Sequence, residues 1–542
     1  MLGLDEGRCK LFARLFGCQI DCFPFTYLGI PLHHAKLRRV DIQPVVDKVI
    51  KRIAGWKGKL LSYGGRLTLL KSCLASIPTY LMSIIKFPKW AFELINSQMA
   101  HFLWNNLEEG KHKYHLANWH SVSQKQEYGG LGIPDLQQMN MCLLASWIAR
   151  YHLNDQSMWR KIIDHKYKTD APNLFCCPDK GVSPFWKGVL WAMQAAQMGY
   201  AWNVGDGNKV RFWEDRWFGN SSLAIQFWPV YVLVNEKGKT IKDAWDGSVL
   251  KFSFRRTFPP ALMDVWWEVV SIAESIVFTD EPDTPVWSFN SNGIYSVQSL
   301  YAVVNFRGVK PVYPSTIWGL YIPPRVQVFL WLLSNNKLLT RDNLSKRREV
   351  FDKTCLLCSD DESIGHIFFD CCVVLPVWSF FSELFDTQLT GGFECVAKWW
   401  ISRNNHAVLN MCTSATLWSI WKLRNEFCFQ GRCWKDERTL KRKVARMLRR
   451  WTCLAKEGNA HHLVEVIAHL EASCRRPLSI MWEDHSLQDV PQLASWEMLH
   501  QENVESSLVS GVHLSDSLAS MLSSAVLHVS SELVADTPSN TL

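Results

Sequence analysis

The last 66 residues of this 542-residue chain, 477 to 542, contain neither lysine nor arginine. They carry nine acids: Glu483, Asp484, Asp489, Glu497, Glu502, Glu505, Asp516, Glu532 and Asp536. All 59 basic residues therefore lie in 1 to 476, against 42 acids, so that stretch holds +17 while the whole chain holds +8. A body that basic attracts phosphate backbones or acidic surfaces, a tendency the tail does not share. Other features are missing too. No apolar run leads to a small-residue cleavage site in the opening MLGLDEGRCKLFARLFG, so no signal peptide is expected. The longest apolar stretch, between Lys71 and Lys86, has about 14 residues and contains Pro78, too short and too broken to span a bilayer. The 17 cysteines are odd in number and irregularly spaced, which excludes a disulfide framework and points to a reducing compartment. A soluble intracellular chain with no membrane partner is expected.

Catalytic signatures are also scarce. There is neither a Walker-type phosphate loop nor a dinucleotide glycine fingerprint, so no small-molecule substrate or nucleotide cofactor is expected. Asp360-Asp361 is the only adjacent Asp pair, and it lies inside a cysteine-bounded loop. Asp246-Gly247-Ser248 reads as a turn, and the pairs His33-His34 and His461-His462 read as surface histidines. Two-metal phosphoryl chemistry needs several converging carboxylates, and no such group stands out. No catalytic residue is assigned.

What is present can fold. The chain is 48% hydrophobic and 20% charged, enough to bury a real core over three to four units of roughly 150 residues. Its 27 Trp, 28 Phe and 13 Tyr supply large rigid surfaces for cores, and for stacking on bases. Apolar residues at Val45, Val46, Val49, Ile53 and Trp56 follow the helical period from Ile42, with Asp41 placed to cap the start. A second helix is predicted over Arg66 to Ile77, with Leu67, Leu70 and Leu74 inward and Pro78 as its stop. Gly129-Gly130 and Gly132 mark a turn before helical spacing over Leu136 to Leu153. Residues 155 to 250 break into short, Trp-rich, Gly-punctuated pieces. In VWSFNSNGIYSV, the alternation reads as a strand and NSNG as a hairpin turn. Helical spacing returns at Pro324 to Leu333 and from about Ala415 to Trp451. The tail is Ser-rich and poor in aromatics, and disorder is expected from about 486.

One segment has metal-ligand spacing: TCLLCSDDESIGHIFFDCC. Cys355 and Cys358 form a C-x-x-C pair, seven residues precede His366, and four more precede Cys371. Three thiolates and an imidazole make a closed tetrahedral zinc site of the structural kind, with no position left for reactive water. Cys372 stands beside Cys371 as an alternative fourth ligand. Basic residues concentrate in two places. The first, 325 to 348, carries Arg325, Lys337, Arg341, Lys346, Arg347 and Arg348 and runs into the metal loop. The second, 422 to 451, carries Lys422, Arg424, Arg438, Lys441, Arg442, Lys443, Arg446, Arg449 and Arg450. Leu440, Val444, Met447, Leu448 and Trp451 fall on the opposite helical face there, so the basic face could lie along a phosphate backbone or simply be solvated.

Several ordered stretches resemble the C-terminal half of plant LINE-type (non-LTR) retrotransposon reverse transcriptases. They are FPFTYLGIPL (Phe23 to Leu32), GWKGKLLSYGGRLTLLKSCLASIPTYLMSIIKFPKW (Gly55 to Trp90) and YGGLGIPDL (Tyr128 to Leu136). Further along come WNVGDGNKVRFWEDRW (Trp202 to Trp217), WSFNSNGIYSVQSLY (Trp287 to Tyr301) and IPPRVQVFLWLL. The last two are similar to the reverse-transcriptase zinc-binding domain, whose Cys-x2-Cys, His and Cys ligands correspond to Cys355, Cys358, His366 and Cys371. The resemblance implies a mainly α fold with small irregular or β pieces. Its parts would be a helical thumb-like region (1–153), a Trp-rich mixed connecting region (154–280), a zinc-binding domain (281–390), a basic helical region (391–458) and an acidic Ser-rich tail (459–542). It implies Zn2+ as a structural cofactor, RNA or DNA as partner, and work at chromosomal DNA in the nucleus, with a cytoplasmic location as the alternative. Family members hold catalytic metals on an aromatic-x-Asp-Asp turn, which this sequence does not contain. The expectation is therefore a truncated remnant that binds nucleic acid without polymerising it. The alternatives are an active RNA-directed DNA polymerase whose palm lies upstream, and an inert or protein-interaction remnant.

Overall fold

A computed structural model of the chain describes residues 5 to 475, apart from residue 18 and the stretches 20–24, 28–29, 33–37, 57–59, 105–113, 154–156, 168–170, 178–181 and 432–435. The expected disordered tail and His33-His34 lie outside the described residues. The described chain is mainly helical, with two small antiparallel ribbons. The described residues divide into two compact units, one drawn from 1–55, 67–100 and 117–311, the other from 56–66, 101–116 and 312–475.

The first unit opens with α1 (Glu6–Phe16), capped by the Asp5 side chain on the Arg8 N–H and ended by Gly17 at φ 61°. Strands β1 (Phe25–Tyr27) and β2 (Ile30–Leu32) pair within FPFTYLGIPL. Helix α2 (Arg39–Ala54) buries Ile42, Val46, Val49 and Ile53, the face that the period predicts. It begins three residues earlier than expected. Asp41 does serve the N-terminus, from inside the first turn, where it accepts the Arg38 N–H at 2.6 Å. Leu67, Leu70 and Leu74 are buried as expected. The helix that carries them starts at Tyr63, turns into a π segment over Leu70–Leu74, and gives way to turns through Pro78.

Helix α3 (Leu136–Leu153) keeps its predicted bounds and packs against α4 (Pro184–Ala196). Between them and their neighbours lies a core of Cys142, Leu144, Ile148, Trp186, Val189, Met193, Tyr200, Trp287 and Leu300. A second cluster gathers Trp202, Phe212, Trp213, Val230, Ile241 and Trp245 against α5 (Pro260–Glu274), which accounts for the Trp-rich stretch as core. The expected hairpin is only half formed. Strand β4 (Thr284–Trp287) pairs instead with β3 (Tyr200–Asn203), far back in the chain. The NSNG turn is real, since Gly293 sits at φ 70° and its N–H donates to the Asn290 carbonyl. Beyond it Ser296 caps α6 (Val297–Val304) by accepting the Ser299 N–H, leaving too few residues for a return strand.

The second unit is built on α7 (Pro324–Ser334), the short α8 (Arg341–Ser345), α9 (Leu375–Leu384), α10 (Ala407–Gln430), α11 (Glu437–Trp451) and α12 (Glu457–Ser473). The expected helix over Ala415 to Trp451 is two helices, because Gly431 at φ 61° ends α10. Residues Ala407 to Leu417 of α10 are buried all round, as for a helix at the centre of a core. It packs against α7, α11, α12 and a π turn at His366–Asp370.

Candidate metal centre

The loop that follows α8 folds back on itself. Thr354 and Asp361 form an antiparallel bridge, and the Cys355 N–H donates to the Asp360 carbonyl at 2.6 Å. Inside this loop the Leu357 N–H points at the Cys355 sulfur, 3.4 Å away, which turns the C-x-x-C pair so that both sulfurs face one point. The chain then enters the π turn, where the Cys371 N–H donates to the His366 carbonyl at 2.8 Å. On a regular α-helix, side chains five apart would stand about 140° round from each other. The wider i→i+5 turn brings His366 and Cys371 to the same side. Ile367, Phe368 and Phe369 between them are buried, and Trp378 Nε1 donates to the Phe368 carbonyl at 2.7 Å, which anchors the turn to α9.

The result is one cluster in which donor atoms of Cys355, Cys358, His366 and Cys371 all lie within 4.8 Å of one another. Cys358 Sγ is 3.0 Å from His366 Nε2 and 3.8 Å from Cys371 Sγ. Zinc bound at about 2.3 Å in a tetrahedron sets neighbouring sulfurs about 3.8 Å apart, so the donor set fits that ion; the imidazole contact would widen by about half an ångström. Cys371 is buried and delivers its sulfur to the cluster, whereas Cys372 is exposed and stands outside it. Among the described residues this is the one group of three or more His, Cys, Asp or Glu side chains able to share an ion. A hydrogen bond from the Cys371 thiol, with the Leu357 and Cys358 N–H groups, lowers Cys355 to about 5. Its partner Cys371 is pushed up by donating that bond and by burial, and burial raises Cys358 to about 11.

Two residues hold this loop in place: Glu362, which the sequence pattern did not single out, and Arg424, which the sequence pattern placed in a basic stretch. Glu362, just after the bridge, is 1% exposed, and Arg424 on α10 is 3% exposed. Arg424 donates through Nη2 at 2.8 Å and Nε at 3.3 Å to the two carboxylate oxygens of Glu362. The same carboxylate accepts the Arg341 N–H at 2.7 Å. A signal for this pair did exist. An arginine on a helix buried on all sides needs a buried carboxylate, and Glu362 is the acid that leads from the loop into the π turn.

The basic residues divide sharply. Arg341 is buried and gives its guanidinium to Asp352 and the Thr354 carbonyl at 2.7 Å, so it is no longer counted among surface phosphate contacts. Lys441 is likewise buried and pairs with Glu437 at 3.1 Å, despite its place in a basic run, because it packs toward α9, where its Nζ lies 5.2 Å from the Phe380 ring. Arg347 donates to the His115 carbonyl at 3.1 Å and lies over the Tyr114 ring, and Lys346 donates to Asn343. Lys337 is exposed, while Arg325 and Arg348 are half-buried. On α11, Arg442, Arg446, Arg449 and Arg450 are exposed, with Arg449 paired to Glu471, and Lys443 holds Glu426. Leu440, Val444, Met447, Leu448 and Trp451 are buried beneath them, the amphipathic division that the sequence implies. Asp246 accepts the Ser248 and Val249 N–H groups in a local turn, and His461 and His462 are exposed.

A Cys3His cluster on a loop and a π turn fits the ligand set of a structural zinc site. Residues 295–378 match the family described as zinc-binding in reverse transcriptase, which agrees with the resemblance drawn from the motifs. The chain is also 28% identical over 363 residues to a protein of Arabidopsis thaliana named "Putative ribonuclease H protein", a match covering 64% of this chain and 57% of that one. A second relative, an uncharacterized mitochondrial protein of Arabidopsis thaliana, is 26% identical over 143 residues, 26% of this chain and 92% of its own. The chain thus spans 57% of the length of the first relative. No described helix is long and apolar enough to cross a membrane.

Proposed function

We infer that this chain is a retrotransposon-derived nucleic-acid-binding protein whose zinc ion, held by Cys355, Cys358, His366 and Cys371, fixes a module beside basic helices. The observation that carries the reading is the gathering of those four side chains inside the segment that matches the reverse-transcriptase zinc-binding family. The metal contributes folding energy rather than Lewis-acid chemistry, because four protein ligands leave it no position for water. The protein's own part is to present cations. Lys337 and the exposed arginines of α11 meet phosphates, and affinity for RNA or DNA is salt-dependent and tolerant of sequence. In a LINE-type element such surfaces hold template RNA and nicked target DNA in the nucleus. Polymerisation is not assigned to this chain, since the sequence contains no aromatic-x-Asp-Asp turn.

The test joins metal content to binding. Purified full-length chain should hold about one zinc, lost on Cys355→Ser, and should bind single-stranded RNA more weakly as salt rises. Zinc without salt-dependent binding would reduce the module to a structural role. Primer extension on an RNA template, abolished by removing Mg2+, would replace the binding reading with a polymerase.

A further inference from the structure

Helices α10 and α11 each present a stripe of polar side chains to a common cleft of about 150 Å3. From α10 come Ser419, Lys422 and Glu426, and from α11 come Lys443, Arg446 and Arg450. Both sets have the spacing i, i+3, i+7 that aligns side chains along one helical face. Four cations meet one carboxylate, for a local formal charge of +3. Glu426 grips Lys443 with both oxygens, at 2.5 and 2.6 Å, which fixes that ammonium at the cleft. Glu426 is the one acid among the residues that line the cleft.

The second observation is independent of charge. Ser419 is 1% exposed, lines the cleft, and its Oγ meets no hydrogen-bond partner. A buried hydroxyl without a partner is costly, and a hydroxyl beneath converging cations is a donor of the kind that phosphate oxygens accept. The cleft is smaller than the 300–1,000 Å3 of small-molecule sites, so it takes one group rather than a metabolite. Guanidinium forks on Arg446 and Arg450 suit the oxygens of a phosphate.

We propose that this cleft is a seat for a single phosphate group of a nucleic-acid strand, bound by Arg446, Arg450, Lys443 and Lys422 and hydrogen-bonded by Ser419. The proposal rests on the nucleic-acid reading above and gives it one defined contact. It is tested by titrating the full chain with a single-stranded RNA oligonucleotide across a range of salt, and with inorganic phosphate alone by equilibrium dialysis. Arg446→Gln should flatten the plot of log affinity against log salt by about 0.7, one phosphate on a single strand. A control exchange in the other unit, Lys242→Gln, should leave the slope unchanged. Ser419→Ala changes no charge and removes an unpartnered group, so the fold should persist. It should weaken RNA and inorganic phosphate several-fold with the salt slope intact. Salt-dependent RNA binding that is the same in Ser419→Ala and wild type would overturn the cleft and leave the proposed function standing. Saturable phosphate binding lost in Ser419→Ala, with no RNA binding by the wild type, would support an anion seat and overturn the nucleic-acid reading. Binding of neither would overturn both.

Discussion

Two irregular loops in this protein are each organised around one buried carboxylate, and they differ in what neutralises it. The loop WNVGDGNKV (202–210) closes around Asp283, which comes from just before β4, is 3% exposed and accepts four of the loop's backbone N–H groups. Gly205 and Gly207 donate to Oδ1 at 2.7 and 2.9 Å, and Lys209 and Val210 to Oδ2 at 2.7 and 3.3 Å. No guanidinium is needed, because the loop wraps its own amide dipoles around the charge. The approach is close enough that a Cβ on Gly205 would stand 2.2 Å from the Glu281 carbonyl oxygen, so only glycine fits there. In the metal loop, Glu362 receives a guanidinium from α10 and a single backbone N–H. The first loop carries its own compensation. The second depends on Arg424 and, by the proposed function, on an ion.

That difference ranks the ways of breaking the two loops. Removing zinc should have the largest effect, since structural zinc sites bring roughly 10–16 kcal/mol of apparent binding energy. Hydrogen exchange in 353–371 should rise steeply on chelation or in Cys355→Ser, while exchange in 202–212 stays at its original rate. Equal acceleration in both loops would show that the metal supports more than its own module. Next is Arg424→Met, which leaves Glu362 buried without its cation and should cost about 3–5 kcal/mol. The double exchange Glu362→Met with Arg424→Met should recover much of that loss, because the penalty lies in the stranded charge. Zinc content read beside stability separates the roles. If Arg424 positions the loop, its variant binds zinc more weakly, and the double exchange does not restore the affinity.

Much of this architecture was legible in the sequence, and its limits have physical causes. The bounds of α3, the buried face of α2 and the amphipathic division of α11 follow from apolar period alone. The four candidate ligands follow from spacing, because cysteine and histidine in that order have few other uses. The choice of Cys371 over Cys372 did not, since it depends on the π turn, and an extra hydrogen-bond register within five residues leaves no mark in composition. The pairing of β4 with β3 was hidden for the reason that long-range partners usually are. Its local turn signal at Asn290 to Gly293 is genuine but is spent on entering α6. Charge was the least reliable guide. Arg341, Arg424 and Lys441 read as surface cations, and all three are buried beside carboxylates.

The smallest of the three effects probes the metal-independent loop. Asp283→Asn keeps the shape of the side chain but replaces one accepting oxygen with an NH2 group. Whichever way the amide turns, two backbone N–H groups then face a donor, either Gly205 and Gly207 or Lys209 and Val210. A buried N–H left without an acceptor costs about 1–3 kcal/mol. Turning the amide toward Lys209 and Val210 loses the longer of the four bonds, so the expected cost is about 2–4 kcal/mol, below that of Arg424→Met. Hydrogen exchange at residues 205 to 210 should show it first, with zinc content unchanged. A loss of zinc in Asp283→Asn would mean that the two loops do not stabilise themselves separately. A cost below about 1 kcal/mol would mean that the loop's glycine-dependent backbone, rather than the buried charge, holds its shape.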